Sequence, residues 1–375
     1  MGQGFGLEHA LWFADTPQDA WEEPSFERNR SHDYVAREVK AVQQGVAGIE
    51  IANFAKHEFK GSDARAFLDY ALAGTVPKPG RITLTPMLTH QGRLYGDLTV
   101  ACLSEDHFML FGSGMMQDAH KRWFESILNS NAQRWPNLQY RNVSDDWHGI
   151  ALSGPQSRAL LAKLMREDAS NDSLRFRDVR QTFVAGVPVL LNRISFSGEL
   201  GYEIYCRPQY LIRLAQAIET EGASLGYRWY GARALLSLRL EKSWGVWGLE
   251  FRPDFNAVES GMDAFVKLDK DFIGKSALLE QLKQPPERKL VTLSIDVQGM
   301  DVSGDEAILC DGEAVGYVSS GGYAHRIGQS MAMGYVKTSH AQAGQTLEVE
   351  ILGKFYPATV QGAALYDPQG MLMRG

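Results

Sequence analysis

The chain has 375 residues, of which 44% are hydrophobic and 22% charged, a composition that excludes disordered and collagen-like proteins. A formal net charge of −7, without long basic runs, disfavours a nucleic-acid-binding face. The three cysteines are too few and too widely spaced for a disulfide framework or a zinc knuckle.

The sequence also lacks the marks of secretion and of a bound redox cofactor. The first residues have no basic start or apolar run, and no stretch of about 18 apolar residues could cross a membrane. Gly2, Gly4 and Gly6 follow no predicted strand, so they do not form a dinucleotide-binding fingerprint. The histidines lie far apart, and we expect no metal site. These features predict a cytoplasmic protein with no membrane segment and no nucleic-acid partner.

Residues 1–30 have no clear period. They predict a structured arm, because Trp12, Phe13, Trp21 and Phe26 would be costly to leave in water. Hydrophobic periodicity and capping residues predict the elements that follow. In chain order these are helix 32–44, strands 46–51 and 55–60, a helix capped by Ser62, strands 81–88, 97–103 and 107–111, helix 115–128, strand 147–152, a helix ending at Leu164, strands 187–194 and 202–206, and helices 210–221 and 230–242.

The segment around Pro285 and Pro286 marks a change of pattern. It divides the chain into a region of two interleaved α+β lobes, 1–284, and a C-terminal domain, 285–375. Six short strands with glycine-rich turns predict a small antiparallel β-barrel in the second part. They cover 290–295, 307–309, 315–319, 331–336, 347–351 and 356–360. The predicted fold class is α+β with a terminal β-barrel.

Three stretches contain residues that could carry chemistry. Asp97 opens a predicted strand directly after Gly96, and it is either a turn acid or a partly buried carboxylate that handles a proton. Glu199 lies in a glycine-bearing hairpin, where it is either solvated or positioned to accept two hydrogen bonds from a flat amidine-like edge such as a pterin. Arg239 lies on a predicted helix, where a surface ion pair is the simplest reading.

Together, in their order and spacing, these stretches resemble the aminomethyltransferase family, whose type is the T-protein of the glycine cleavage system. The chain resembles still more the folate-binding C-terminal half of dimethylglycine and sarcosine dehydrogenases. The resemblance implies a cloverleaf of three domains around a tetrahydrofolate site. It rests on residues 31–32, 96–100, 153–155, 197–203, 231–233, 238–242, 267–275, 315–323 and 331–336.

By that resemblance Asp97 is the catalytic carboxylate near the folate nitrogens, and Glu199 grips the pterin ring. Arg233 is similar to the family's arginine at the folate site, and Tyr202 and Tyr95 are candidates for the pocket. A carboxylate in such a place can position the folate amine and accept its proton as the amine attacks an electrophilic carbon.

The sequence therefore predicts a tetrahydrofolate-dependent one-carbon transferase that demethylates a small N-methylated amine or onium compound, such as dimethylglycine, glycine betaine or a sulfonium betaine. Two routes stay open. A separate flavin oxidase subunit generates an iminium that folate captures, or the methyl group is transferred directly. Trp244 and Trp247 either form an aromatic cage for an onium donor or pack in the core.

Two alternatives remain. One is an aminomethyltransferase of the glycine cleavage type. The other is a non-catalytic folate-binding protein of iron–sulfur cluster assembly. By resemblance, proteins of that kind have a shorter chain and a cysteine in the barrel segment. Residues 319–323 contain no cysteine, which favours an enzyme.

Overall fold

The computed structural model describes residues 1–4, 7–131 and 133–375. Its mixed helices and sheets confirm the predicted α+β class. The helices are α1 (Ser31–Gln44), α2 (Ala64–Ala71), α3 (Gln117–Ser130), α4 (Ser157–Leu164), α5 (Leu211–Gly222), α6 (Ala232–Glu241), α7 (Lys275–Gln281) and α8 (Met371–Arg374). The strands are β1 (Gly2–Gly4), β2 (Leu7–His9), β3 (Ala47–Glu50), β4 (Ala55–Lys60), β5 (Ile82–Leu88), β6 (Leu94–Ser104), β7 (His107–Gly112), β8 (Gln139–Asn142), β9 (His148–Ser153), β10 (Val179–Val184), β11 (Val187–Asn192), β12 (Gly201–Cys206), β13 (Arg228–Trp229), β14 (Arg288–Ile295), β15 (Ala307–Cys310), β16 (Glu313–Ala324), β17 (Gln329–Lys337), β18 (Thr346–Ile351) and β19 (Lys354–Gln361).

Two sheets pack face to face in the first part of the chain. One has six strands in the order β10-β11-β12-β9-β3-β13, and the other has five in the order β5-β6-β7-β4-β8. Ala101 and Phe111 from the five-stranded sheet share one buried cluster with Leu190 and Tyr205 from the six-stranded sheet. Because side chains alternate along a strand, this cluster identifies the inner face of each sheet.

Helices cover the outer faces of both sheets. Leu160 of α4 and Leu214 of α5 pack in a cluster with Ile204 of the six-stranded sheet. Phe67 of α2 and Phe124 of α3 pack in a cluster with Leu98 of the five-stranded sheet. The result is a layered arrangement in which each sheet is buried on both faces, and only a polar residue with a specific role is expected between the sheets.

The C-terminal part of the chain forms a closed six-stranded antiparallel barrel in the order β14-β17-β16-β15-β18-β19. This confirms the predicted C-terminal barrel. Strand β16, Glu313–Ala324, extends well beyond the predicted 315–319, with an irregular register near Ser319. The first barrel strand begins at Arg288. The division of the chain at residues 284 and 285 stays a prediction.

Several local predictions were wrong. Asp97 is the fourth residue of β6 and lies inside the strand, so it is not a turn acid. Helix α2 has Asp63 rather than Ser62 as its N-cap, without a side-chain cap bond. Trp21 and Phe26 are 75% and 78% exposed, so the arm does not bury them as expected.

Candidate active site between two facing sheets

Asp97 projects from the inner face of the five-stranded sheet. Its neighbours Leu98 and Val100 lie in the outer cluster under α2 and α3, whereas Ala101 lies in the cluster between the sheets. Alternation therefore places Asp97 on the same face as Ala101. Opposite it in the register is Pro86 of β5, which has no backbone N–H group to donate.

Asp97 is partly exposed, neither fully buried nor open to solvent. Burial raises its pKa from an ordinary value near 3.8 to about 7, and a hydrogen bond from its own backbone amide only partly opposes this shift. A carboxyl with a pKa near neutrality can both accept and release a proton at physiological pH. Asp97 therefore has the properties of a proton acceptor that a ligand can reach.

A second carboxyl, Glu203, projects from the inner face of the facing sheet. Tyr202 and Ile204 on β12 belong to the outer cluster beneath α4 and α5, and Tyr205 belongs to the cluster between the sheets. Glu203 is therefore on the inner face with Tyr205. Like Asp97 it is partly exposed, and burial raises its pKa to about 7.

Three groups around Glu203 oppose the effect of burial on its pKa. The Tyr205 hydroxyl donates a hydrogen bond of 2.9 Å to Glu203 Oε2. Asn192, its cross-strand neighbour on β11, also lowers the Glu203 pKa, yet the Asn192 amide makes no hydrogen bond within the described part of the chain. The third group is the ammonium of Lys56.

Lys56 is a fully buried lysine on the inner face of β4. It lies opposite Phe111 in the register, and its Nζ donates a hydrogen bond of 2.6 Å to the carbonyl of Ala52. Burial lowers the pKa of Lys56 to about 8, against the opposing charges of Glu50, Asp145 and Glu203. At neutral pH, Lys56 is largely protonated and thus places a positive charge between the sheets, where it acts on Glu203.

Glu199, the carboxylate predicted to hold a pterin, is already engaged. Its Oε1 accepts a hydrogen bond of 2.8 Å from Arg326 and one of 2.6 Å from the Tyr366 hydroxyl, and the Glu199 and Arg326 side chains are only 4% and 0% exposed. Arg326 also pairs with Glu241 of α6. The contacts of Glu199 therefore tie the loop before β12 to the C-terminal domain.

The two predicted pocket tyrosines point away from the inner faces. Tyr202 is fully buried in the outer cluster of the six-stranded sheet, with Arg193 over its ring at 5.0 Å. Tyr95 occupies a register irregularity of β6 and packs against His120 and Trp123 of α3 at ring distances of 5.8 and 5.0 Å. The Tyr95 carbonyl accepts a hydrogen bond of 2.7 Å from His120 Nε2.

Arg233 contacts the N-terminal arm. It pairs with Glu22 and donates a hydrogen bond of 2.7 Å to the Ser31 hydroxyl. Its predicted place at a folate site stays a prediction.

The two tryptophans have different neighbours. Trp244 stacks on Phe196 with ring centroids 5.5 Å apart, whereas Trp247 packs with Phe251 and lies 6.2 Å from the His120 ring. The predicted cage for an onium donor stays a prediction.

The described part of the chain offers neither a membrane-spanning helix nor a cluster of metal ligands. No helix in the described ranges is long and apolar enough to cross a bilayer. Within residues 1–4, 7–131 and 133–375, no three His, Cys, Asp or Glu side chains are grouped so that they could hold a metal ion.

Family models match both parts of the chain. Residues 1–270 match the GCVT N-terminal domain, and residues 288–367 match the glycine cleavage T-protein C-terminal barrel domain. The chain belongs to the glycine cleavage T-protein family of aminomethyltransferases. This confirms the resemblance that the sequence motifs indicated, and it makes the chain a member of a family of enzymes.

The relatives include both long dehydrogenases and shorter aminomethyltransferases. The chain is 38% identical to mitochondrial dimethylglycine dehydrogenase of Homo sapiens over 96% of its own length, but it spans only 42% of that relative. It is 32% identical to an aminomethyltransferase of Desulfitobacterium hafniense, covering 90% of this chain and 91% of the relative. The glycine cleavage aminomethyltransferase T structure from Bartonella henselae has the same fold, with a TM-score of 0.81, 24% identity and coverage of 89% and 90% of the two chains.

Sequence reasoning missed the residues that surround Glu203. Glu203 lies within segment 197–203, on which the resemblance rests, but the pterin contact was predicted for Glu199, four residues earlier. A signal was available, because an acid at one position of an otherwise apolar strand, with Tyr205 two residues on, predicts a carboxylate on the inner face. Lys56 gave no such signal, because β4 reads Ala-Lys-His-Glu-Phe-Lys and several of its residues are polar.

Proposed function

We propose that this T-protein family member is a tetrahydrofolate-dependent one-carbon transferase with its active site between the two sheets. The observation that carries the proposal is a pair of partly exposed carboxyls, Asp97 and Glu203, which project from facing sheets and whose pKa values burial raises to about 7. Sites that handle protons are places where such shifts concentrate.

The polar groups around Glu203 suit the hydrogen-bonding edge of a reduced pterin. The pterin edge presents N–H donors, and a carboxylate such as Glu203 is an acceptor-only group that can take two of them. The Asn192 amide, buried and without a hydrogen bond in the described part of the chain, adds polar capacity beside Glu203. Glu199 is paired with Arg326 and Tyr366, so we transfer the proposed pterin contact from Glu199 to Glu203.

Tetrahydrofolate supplies the nitrogen that accepts the one-carbon unit. Asp97 holds the proton that this nitrogen loses, because a pKa near 7 lets the carboxylate accept it at neutral pH and release it to solvent afterwards. Lys56, Tyr205 and Asn192 favour the ionised form of Glu203, the form that accepts hydrogen bonds. The facing sheets hold both carboxyls on rigid strands, which supplies orientation.

The proposed donor is a small N-methylated amine or onium compound. Similarity to dimethylglycine dehydrogenase along nearly the whole chain supports an N-methylated amino acid. In an iminium route a flavin oxidase, as a separate subunit or a further domain, removes a hydride from the N-methyl group before the carbon reaches this site. Direct methyl transfer from an onium donor needs no redox partner. A glycine-cleavage aminomethyltransferase is the second candidate, supported by a relative that this chain matches over nine tenths of both lengths.

The test is a donor screen. The protein is incubated with tetrahydrofolate and with dimethylglycine, sarcosine, glycine betaine or a sulfonium betaine, each with and without a flavin oxidase for the amine. Mass spectrometry distinguishes 5-methyl- from 5,10-methylene-tetrahydrofolate. We expect a protein-dependent folate product from at least one donor. Formation of folate products only from a lipoyl-bound aminomethyl group would favour glycine cleavage, and no tetrahydrofolate binding would refute the proposal.

A further inference from the structure

The side chain of Tyr205 contacts residues of both facing sheets. It is fully buried on β12, and its hydroxyl donates a hydrogen bond of 2.9 Å to Glu203 Oε2. Its ring stacks on Phe111 of the other sheet, with centroids 4.6 Å apart and an interplanar angle of 25°. One residue thus contacts the carboxyl of one sheet and the inner face of the other.

Phe111 fixes the Tyr205 ring in relation to the strand that carries Asp97. In the register, Phe111 lies opposite Thr99, two residues from Asp97 on the same face of β6. The other neighbour of Phe111 is Lys56 on β4. The position of the Tyr205 hydroxyl is therefore set by packing on the sheet of Asp97, while its hydrogen bond acts on Glu203.

The phenol is well suited to hold an ionised carboxylate. Burial and the neighbouring Glu203 charge raise the pKa of Tyr205 well above its ordinary value, so its hydroxyl stays a proton donor at every physiological pH. The bond occupies Oε2 and leaves Oε1 of Glu203 available as an acceptor. A free carboxylate would sample several rotamers, and ordering it would oppose ligand binding.

We propose that Tyr205 is a positioning residue that orients Glu203 toward the pterin edge through its hydrogen bond to Oε2. This inference rests on the proposed function. Tyr205 itself touches no ligand, because it is fully buried, and it acts only through the carboxylate. Asn192 and Lys56 are the other groups that face Glu203 and favour its charged form.

The test is Tyr205→Phe, which removes one hydroxyl and keeps the ring that stacks on Phe111. Tetrahydrofolate affinity is measured by calorimetry across pH 5.5–8.5 in wild type, Tyr205→Phe, Glu203→Gln and the double variant. We expect about tenfold weaker binding in Tyr205→Phe at neutral pH. The pH midpoint for binding should also rise, because the lost hydrogen bond favoured the ionised carboxylate. In the Glu203→Gln background the same substitution should change the affinity less than about twofold.

Unchanged affinity and an unchanged pH midpoint in Tyr205→Phe, with wild-type binding intact, would overturn the inference. An equal loss in both backgrounds would also overturn it, because Tyr205 would then support the fold and not Glu203. Thermal melting of each variant without ligand separates a folding defect from a binding defect. Failure of wild type to bind tetrahydrofolate would instead refute the proposed function. In that case an NMR titration of the Glu203 carboxyl in wild type and Tyr205→Phe still tests the hydrogen bond.

Discussion

The guanidinium of Arg326 is 2.8 Å from the carboxylate of Glu199, in an ion pair that joins the C-terminal domain to the loop before β12. Both side chains are excluded from solvent, and Arg326 also pairs with Glu241 of α6. Because a buried charge is strongly destabilising when it loses its partner, this contact favours one position of the barrel against the preceding part of the chain. Glu199 and Glu203, only four residues apart, therefore have different partners: Arg326 and Tyr366 contact Glu199, and Tyr205 contacts Glu203.

Glu199→Gln should reduce stability and leave folate binding nearly unchanged. The substitution removes a charge that faces Arg326 and Tyr366, and we expect a loss of about 1–3 kcal/mol in the free energy of unfolding. Urea denaturation measures that loss, and calorimetry with tetrahydrofolate should give a dissociation constant within about twofold of wild type.

Glu203→Gln is the matched control and should show the reverse. The amide cannot accept charge-assisted hydrogen bonds as strongly, so we expect folate binding to weaken by about 10–100-fold with no loss of stability. If Glu199→Gln abolished binding in a stable protein, and Glu203→Gln did not, the pterin contact would have to be returned to Glu199.

Asp97→Asn should stabilise the folded protein at alkaline pH. Burial raises the pKa of Asp97 from about 3.8 to about 7, so the native state binds its proton more tightly than the unfolded chain does. The resulting stability is fully present below pH 4 and is lost as pH rises through 7. Thermal melts should show a higher Tm for Asp97→Asn at pH 8 and no advantage at pH 4. A lower Tm at pH 8 would mean that the ionised carboxylate supports the fold.

Removing one partner of the buried pair of Arg239 and Glu250 should strongly destabilise the protein. Arg239, predicted to lie at the surface, is 2% exposed, 3.0 Å from the Glu250 carboxylate and 2.7 Å from the Ser320 hydroxyl in the barrel. Arg239→Ala leaves Glu250 uncompensated, and we expect a loss of about 3–5 kcal/mol in urea denaturation. The exposed pair of Lys283 and Glu280 is the control, and Lys283→Ala should change stability by less than about 0.5 kcal/mol. Similar losses in both variants would contradict the assigned role of Arg239.

Local patterns predicted much of the fold. The six barrel strands were recognisable because alternating apolar residues between glycine turns specify a strand without reference to the rest of the chain. The same reasoning located β4, β7 and β12 within a residue or two of their observed limits. Asp97 was singled out correctly as a residue of interest, but its strand begins three residues earlier, because the irregularity at Tyr95 obscures the alternation.

Long-range pairing could not be predicted in the same way. Arg326 and Glu199 are 127 residues apart, and nothing in either segment indicates that the two charges meet in a buried place. The exposed Trp21 and Phe26 show the opposite error, since burial was inferred from side-chain type alone. Glu199 and Glu203 could not be distinguished from the sequence in this way, because strand alternation fixes the face of Glu203, whereas the setting of a loop residue depends on which domain packs against it.

Transfer of a labelled methyl group by the Asp97→Asn variant tests whether Asp97 accepts the proton that the folate nitrogen loses. A donor identified in the screen is supplied with a ¹³C-labelled methyl group, and the label in tetrahydrofolate is followed by mass spectrometry in wild type and variant. If Asp97 accepts the proton in the transfer step, the rate should fall on the order of 10²–10⁴-fold while tetrahydrofolate affinity changes little. A folded Asp97→Asn protein that binds tetrahydrofolate and transfers the label at the wild-type rate would show that Asp97 is not the proton acceptor.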